Sequence, residues 1–287
     1  MEVNPIQRGI DMDIQQRDFL AEGRVSHVYR LKDGRVLKVA HPTVPDEKVE
    51  DEYRRCRIVT EAGVRSPRAL DLVDVDGRRG IVFEWAGRID LLNAKLENPL
   101  NVGSGGRFMA KVHLEFLGCE AEQLPDIKEE TMRMSRLLPD GAIQPDQFSI
   151  LEKYLAGLPD GKNICHMDFH PGNIILDTGG YEAYQVIDWA EAVKGPPEAD
   201  IAMTSLILSM AETSPGTGLL LRLLIPVFRK MFERYYRNAV LTSHATATEE
   251  RIAEWALAVA IFRMYMWNLE SEYRFLTDLI QKELEKV

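Results

Sequence analysis

The stretch Cys165-His166-Met167-Asp168-Phe169-His170-Pro171-Gly172-Asn173 places a carboxylate and a side-chain amide on one short loop. A second carboxylate, Asp188, closes the apolar run Tyr184 to Ile187 that follows. One carboxylate can orient an attacking hydroxyl and take its proton. An amide oxygen and a second carboxylate are hard oxygen donors of the kind Mg²⁺ prefers. Together they suit the movement of a nucleotide γ-phosphate onto an alcohol. Cys165, His166, Asp168 and His170 also admit a transition-metal reading, because Cys and His ligate zinc. Against it, four ligands within six consecutive residues have little freedom to converge tetrahedrally, and no second Cys/His cluster completes the set.

Lys38 is the other residue whose setting demands a partner. It interrupts the apolar strand Val36-Leu37-Lys38-Val39, so its ammonium must reach a counter-charge or solvent. A helix expected from about Asp46 to Glu61, ended by Gly63, offers one. Its apolar stripe is Val49, Tyr53, Cys56 and Val59, and Glu52 falls beside that stripe while Glu47 and Asp51 fall opposite. Glu52 is therefore the acid expected to point inward.

The elements around these residues follow from pattern and punctuation. Phe19 to Glu22, Val25 to Leu31 and Arg35 to Ala40 read as strands, the last two joined through Asp33-Gly34, which suits a type I′ turn. Ala69 to Val75 and Gly80 to Trp85 are joined in the same way through Asp76-Gly77. After Ala86-Gly87 helical spacing dominates, as in Phe108, Met109, Val112 and Phe116 before Gly118. Ile174 to Leu176 and Tyr184 to Ile187 form a hairpin around Gly179-Gly180, and Thr246 to Glu249 fits a capping box. Gly103-Ser104-Gly105-Gly106 lacks the preceding strand and the following Gly-Lys-Ser/Thr of a P-loop, and reads as a flexible helix entry. The expected organisation is α+β, with a small β-rich lobe over residues 1–86 and a larger helical lobe over 87–287.

Bulk properties narrow the partners. The chain has 287 residues, 45% of them hydrophobic, and a net charge of −10. Such an acidic surface disfavours nucleic acid and is compatible with a cationic small substrate. Cys56, Cys119 and Cys165 are odd in number and contain no CxxC pair, as expected of reduced thiols in a cytoplasmic protein. The first residues lack a basic region followed by an apolar core, and no run of about 18 apolar residues suggests a membrane span.

His166-Met167-Asp168-Phe169-His170-Pro171-Gly172-Asn173, then Ile187-Asp188-Trp189, then Pro197-Glu198-Ala199-Asp200-Ile201-Ala202, resemble the motifs of the aminoglycoside phosphotransferase and choline kinase-like family. The resemblance covers nearly the whole chain and implies a bilobal protein-kinase-like fold. It implies Asp168 as the catalytic carboxylate, Asn173 and Asp188 as Mg²⁺ ligands, and ATP or GTP as co-substrate. His166 then holds the loop, and Asp200 braces it from below. Lys38, held by Glu52, would contact the α- and β-phosphates. Glu84 to Ala86 would meet the nucleotide base through backbone groups. Ile187 lines the base pocket or simply packs in the core. The phosphate loop departs from the glycine-rich pattern of protein kinases: Ala21-Glu22-Gly23-Arg24-Val25-Ser26 has one glycine. Gly23 still permits a turn, and Ser26 is read either as a phosphate donor or as part of that turn.

A protein kinase is disfavoured because Asp188 is followed by Trp189-Ala190, no Ala-Pro-Glu follows, and little chain separates Asp188 from Asp200. A catalytically silent nucleotide-binding scaffold is disfavoured because Lys38, Asp168, Asn173 and Asp188 are all present. The resemblance implies a small hydroxyl compound as acceptor and leaves open an aminoglycoside, choline or ethanolamine, an amino alcohol such as homoserine, a sugar or thiamine. Tyr265, Trp267, Asn268, Glu270, Glu272 and Glu191 are candidates to bind it, or are ordinary helix-face residues.

Overall fold

The computed structural model describes residues 17–96, 101–177, 180–210, 219–244, 247–267 and 269–287. By its contacts the chain divides into two units, Met1–Ile89 with Ile174–Glu191, and Asp90–Asn173 with Ala192–Val287.

The first unit is built on strands β1 (Arg17–Glu22), β2 (Ser26–Leu31), β3 (Val36–Ala40), β4 (Ala69–Val75) and β5 (Arg78–Phe83), with helix α1 (Asp46–Glu61) between β3 and β4. The sheet order is β1-β2-β3-β5-β4, antiparallel at every pairing. Leu31, Leu37, Val39, Val73, Val75 and Val82 form one buried cluster. Successive strand residues point to opposite faces, so Lys38, between Leu37 and Val39, is turned to the other face. Helix α1 buries Val49, Glu52, Cys56 and Val59 and packs on β4 and β5.

The two Asp-Gly turns differ. Asp76 and Gly77 both take positive φ (52° and 73°), as a type I′ pair requires. At the β2–β3 turn Gly34 has φ 88° and Asp33 is not left-handed. The Leu31 carbonyl accepts from the Gly34 N–H at 3.0 Å, and the Leu31 N–H donates to the Arg35 carbonyl at 2.9 Å. This is a three-residue loop, Lys32 to Gly34, of the type I plus bulge kind, in place of the expected type I′. Asp33 is held in it by accepting from the Arg35 N–H and Nε at 3.0 and 2.6 Å.

The segment 174–191 groups with the first unit, whereas a linear division at residue 86 assigns it to the second. Its hairpin, Ile174–Leu176 with Tyr184–Val186, is tied there by backbone bonds. The Val186 N–H donates to the Arg65 carbonyl, and the Arg88 N–H to the Leu176 carbonyl, each at 2.8 Å. Gly87 permits that approach: its φ is +144°, and a Cβ there would stand 2.8 Å from the Leu176 oxygen. Gly179 lies outside the described residues.

The second unit contains helices α2 (Leu91–Leu96), α3 (Val102–Leu117), α4 (Ile127–Ser135), α5 (Phe148–Gly157), α6 (Pro197–Met210), α7 (Leu219–Ser243), α8 (Glu249–Ala253), α9 (Ala256–Trp267) and α10 (Glu270–Leu284). A short antiparallel ladder pairs Asn163–Cys165 with Val193–Gly195. The Gly103–Gly106 run is not a loose entry. It forms the first turns of α3, where a Cβ on Gly106 would meet the Phe232 carbonyl of α7 at 2.7 Å. Small residues let these two helices approach. Thr248 caps α8, its hydroxyl accepting from the Arg251 N–H; Thr246, expected in that role, lies outside the described residues. Among the described residues no helix is long and apolar enough to cross a membrane.

Candidate active site

In the first unit, β3, α1 and the turn after the hairpin bring Lys38, Glu52 and Asp188 together. Lys38 Nζ donates to Glu52 Oε1 at 2.7 Å and to Asp188 Oδ1 at 2.9 Å. Burial alone would lower the Lys38 pKa, but the charges of Asp188 and Glu52 overcome it and hold the group above its ordinary value. The ammonium therefore stays charged. Two carboxylates share this one cation, and burial pushes the Glu52 carboxyl upward. Asp188 keeps 42% of its side chain exposed. Its φ is 68°, a left-handed backbone that costs a non-glycine residue about 1–3 kcal/mol. Trp189 anchors the strained turn, fully buried with its indole N–H on the Val186 carbonyl at 3.0 Å.

The remaining first-unit candidates surround this group more loosely. The Gly23 N–H donates to the Ser26 carbonyl at 2.8 Å, closing the β1–β2 turn, and Ser26 is buried. The Glu84 side chain accepts from Arg68 Nε at 2.9 Å, and Arg68 holds its carboxyl below the usual range. The Glu84 N–H is also taken, by the Arg68 carbonyl at 3.1 Å. Ala86 and Ile187 are half-buried.

In the second unit the loop after strand Asn163–Cys165 is organised by Asp200 of α6. Asp200 Oδ2 accepts the His166 N–H and Oδ1 the Met167 N–H, both at 2.8 Å. Those bonds hold Met167 at φ 63°. His166 Nδ1 accepts the Asp168 N–H at 3.2 Å. Asn173 Nδ2 donates to the Asp168 carbonyl at 2.9 Å, so the amide is turned with its nitrogen toward the loop backbone. His170 Nδ1 accepts the Gly172 N–H at 3.1 Å, and its Nε2 lies 4.0 Å from Asp168 Oδ2. Phe169 is fully buried against His113 and Phe116. Cys165 is buried too, and desolvation raises its thiol pKa, so it is an inert packing residue.

Two participants escape a reading of the motifs. His113 of α3 reaches Asp200 Oδ2 through Nε2 at 3.0 Å and the Tyr236 hydroxyl of α7 through Nδ1 at 2.6 Å. All three side chains are fully buried. The available signal was a lone histidine in the apolar stripe of α3, between Val112 and Phe116.

The residues considered for an acceptor site are resolved unequally. Glu272 is not a solvated acid: it is 4% exposed and takes two bonds from Arg263, at 2.8 and 2.7 Å. Arg263 also covers the Trp267 ring at 4.0 Å, and Arg133 covers Tyr265 at 5.5 Å. Glu270 is exposed and Glu191 half-buried; Asn268 lies outside the described residues. Glu272→Ala, which strands the Arg263 guanidinium, is expected to cost about 3 kcal/mol or more in urea unfolding. An Arg263→Met/Glu272→Leu double variant should recover most of that loss.

A family model described as the phosphotransferase enzyme family matches residues 18–255. The chain belongs to that family. Comparison with curated proteins finds no match. Among solved structures, the streptomycin–ATP ternary complex of APH(2″)-IIa is similar at 16% identity and TM-score 0.54, covering 98% of this chain and 97% of that one. An aminoglycoside-3′-phosphotransferase of type VIII is similar at 18% identity and TM-score 0.56, with 88% and 98% covered. A protein assigned as a fructosamine-3-kinase from Haemophilus somnus 129PT shares 14% identity at TM-score 0.55, with 98% and 96% covered. The fold is thus the α+β, protein-kinase-like fold of these phosphotransferases.

Proposed function

We propose that this family member transfers the γ-phosphoryl group of ATP or GTP, with Mg²⁺, to a hydroxyl of a small molecule. The observation that carries the reading is the Lys38 ammonium bound at once by Glu52 (2.7 Å) and Asp188 (2.9 Å). A buried lysine kept charged and oriented in this way is suited to hold phosphate oxygens. The Gly23–Ser26 turn would cover those phosphates, Glu84 to Ala86 would meet the base through backbone groups, and Ile187 would flank it.

Asn173 and Asp188 would hold Mg²⁺. The donor chemistry fits: the Asn173 amide nitrogen is committed to the Asp168 carbonyl, leaving an oxygen, and Asp188 keeps exposed carboxylate beyond its Lys38 bond. Bound there, the cation would neutralise charge on the β- and γ-phosphates. Asp168 would orient the acceptor hydroxyl and accept its proton as the new O–P bond forms and the bond to the β-phosphate oxygen breaks. Nucleoside diphosphate leaves.

For the acceptor, similar structures hold streptomycin and gentamicin, and one neighbour is assigned to fructosamine. These are hydroxyl-rich compounds, and the net charge of −10 favours cationic ones. The test is a mass-spectrometric screen with Mg-ATP and Mg-GTP across aminoglycosides, choline, ethanolamine, other amino alcohols and sugars. A product carrying one added phosphoryl group is expected, and is absent with the Asp168→Asn protein. Tight nucleotide binding without turnover on any panel member, and without slow hydrolysis, would point to a silent scaffold instead.

A further inference from the structure

We propose that Glu22, His27 and His41 form a binding site for a divalent transition metal at the base of the β1–β2 turn. Among the described residues these three bring one donor atom each within 4.8 Å of one another. The sheet register explains the meeting. Glu22 is the cross-strand partner of His27, and His27 pairs with Val39, two residues before His41. The His41 N–H continues the ladder to the Val25 carbonyl at 2.8 Å. Residues directly opposite, and those two further along, share a face, so all three side chains rise from one side of the sheet. Lys38 faces the other side, which separates this site from Asp188.

The local geometry favours an ion over a hydrogen bond. His27 Nε2 and Glu22 Oε1 are 3.7 Å apart, too far to bond directly. Two donors on one tetrahedral Zn²⁺-type ion stand about 3.4 Å apart, and the Glu22 side chain, 67% exposed, is free to rotate that small distance. The imidazoles meet edge to face with centroids 4.5 Å apart. His41 Nε2 bonds to the Gly23 carbonyl at 3.1 Å. A carbonyl only accepts, so Nε2 is the donor in this bond and Nδ1 is the nitrogen left to face a metal. Metal-ligating histidines commonly donate their second nitrogen to a backbone carbonyl in this manner. Two imidazoles and one carboxylate select Zn²⁺, Co²⁺ or Ni²⁺ over Mg²⁺, and leave a position for solvent. The site shares no residue with the Mg²⁺ ligands proposed above.

The test is a Co²⁺ titration of tag-free, full-length protein followed by visible ligand-field absorption. One equivalent is expected to bind, with affinity reduced at least about tenfold in His27→Gln and in His41→Gln. Histidine-ring NMR of the unaltered protein gives a second readout, independent of how the variants fold. Co²⁺ should broaden two of the six histidines, and both should be His27 and His41. Absence of stoichiometric binding, uptake indifferent to both substitutions, or broadening centred on other histidines would each overturn the proposal. The indifferent case would place the Co²⁺ on other side chains.

Discussion

Asp168→Asn is expected to reduce turnover by about 10²–10⁴-fold, the range lost when a positioned general base is removed, with nucleotide affinity essentially unchanged. The substitution removes charge and leaves the loop intact. The backbone of residue 168 still donates to His166 Nδ1 and accepts from Asn173 Nδ2, and the asparagine side chain occupies the same volume. The Lys38–Glu52–Asp188 group, assigned here to the phosphates and their cation, is untouched. Turnover on the acceptor found by the product screen, set beside nucleotide affinity from calorimetry, separates the two effects. A variant with wild-type turnover would remove Asp168 from the chemistry. A variant that lost nucleotide binding and turnover together would mean that Asp168 serves the nucleotide rather than the acceptor.

What could be read from the sequence was local. Glu52 stood out because a 100° step per residue puts it beside Val49, Cys56 and Val59, and it is buried with them. Lys38 stood out because a cation between Leu37 and Val39 needs a partner, and the structure supplies two. What could not be read depends on partners far along the chain. Glu272 reads as an acceptor-binding acid or a helix-face acid because nothing near it in sequence signals its bonds from Arg263. The glycines before Phe108 looked loose because their reason, the Phe232 backbone, lies on another helix. The β2–β3 turn departs from type I′ because Asp-Gly suits more than one loop length, and the pairing of Arg30 with Val36 decides between them. The hairpin 174–186 joins the first unit through backbone bonds to Arg65 and Arg88, which no side-chain pattern records. His113 shows the same limit: the stripe of α3 reveals that it is inside, but not that Asp200, 87 positions on, is what it meets.

That buried network carries the largest expected effect on stability. In Asp200→Ala the His166 and Met167 N–H groups lose their acceptor in a site with no solvent exposure. Each orphaned donor costs about 1–3 kcal/mol, and His113 loses one of its two partners, keeping only Tyr236. Met167, left-handed at φ 63°, can then relax, which returns part of its strain of about 1–3 kcal/mol. The three lost partners together cost about 3–9 kcal/mol, which rivals the whole stability of a typical domain, so the alanine variant is expected to accumulate unfolded. Asp200→Asn keeps one oxygen acceptor and should fold at neutral pH with a lower Tm, which makes it the informative variant. Its pH dependence has a definite sign. Burial opposes ionisation of Asp200, but the hydrogen bond and charge of His113, with help from His166, hold the carboxyl below its ordinary 3.8. A lowered native pKa means the ionised carboxylate stabilises the fold fully above the unfolded-state value, about 4, and loses that contribution as pH falls through the lower native one. The Tm gap between the wild type and Asp200→Asn should therefore be fully present at about pH 5 and narrow below about pH 4. Equal Tm values at pH 7, or a gap that persists unchanged into acid, would show that the carboxylate charge is not what holds the loop.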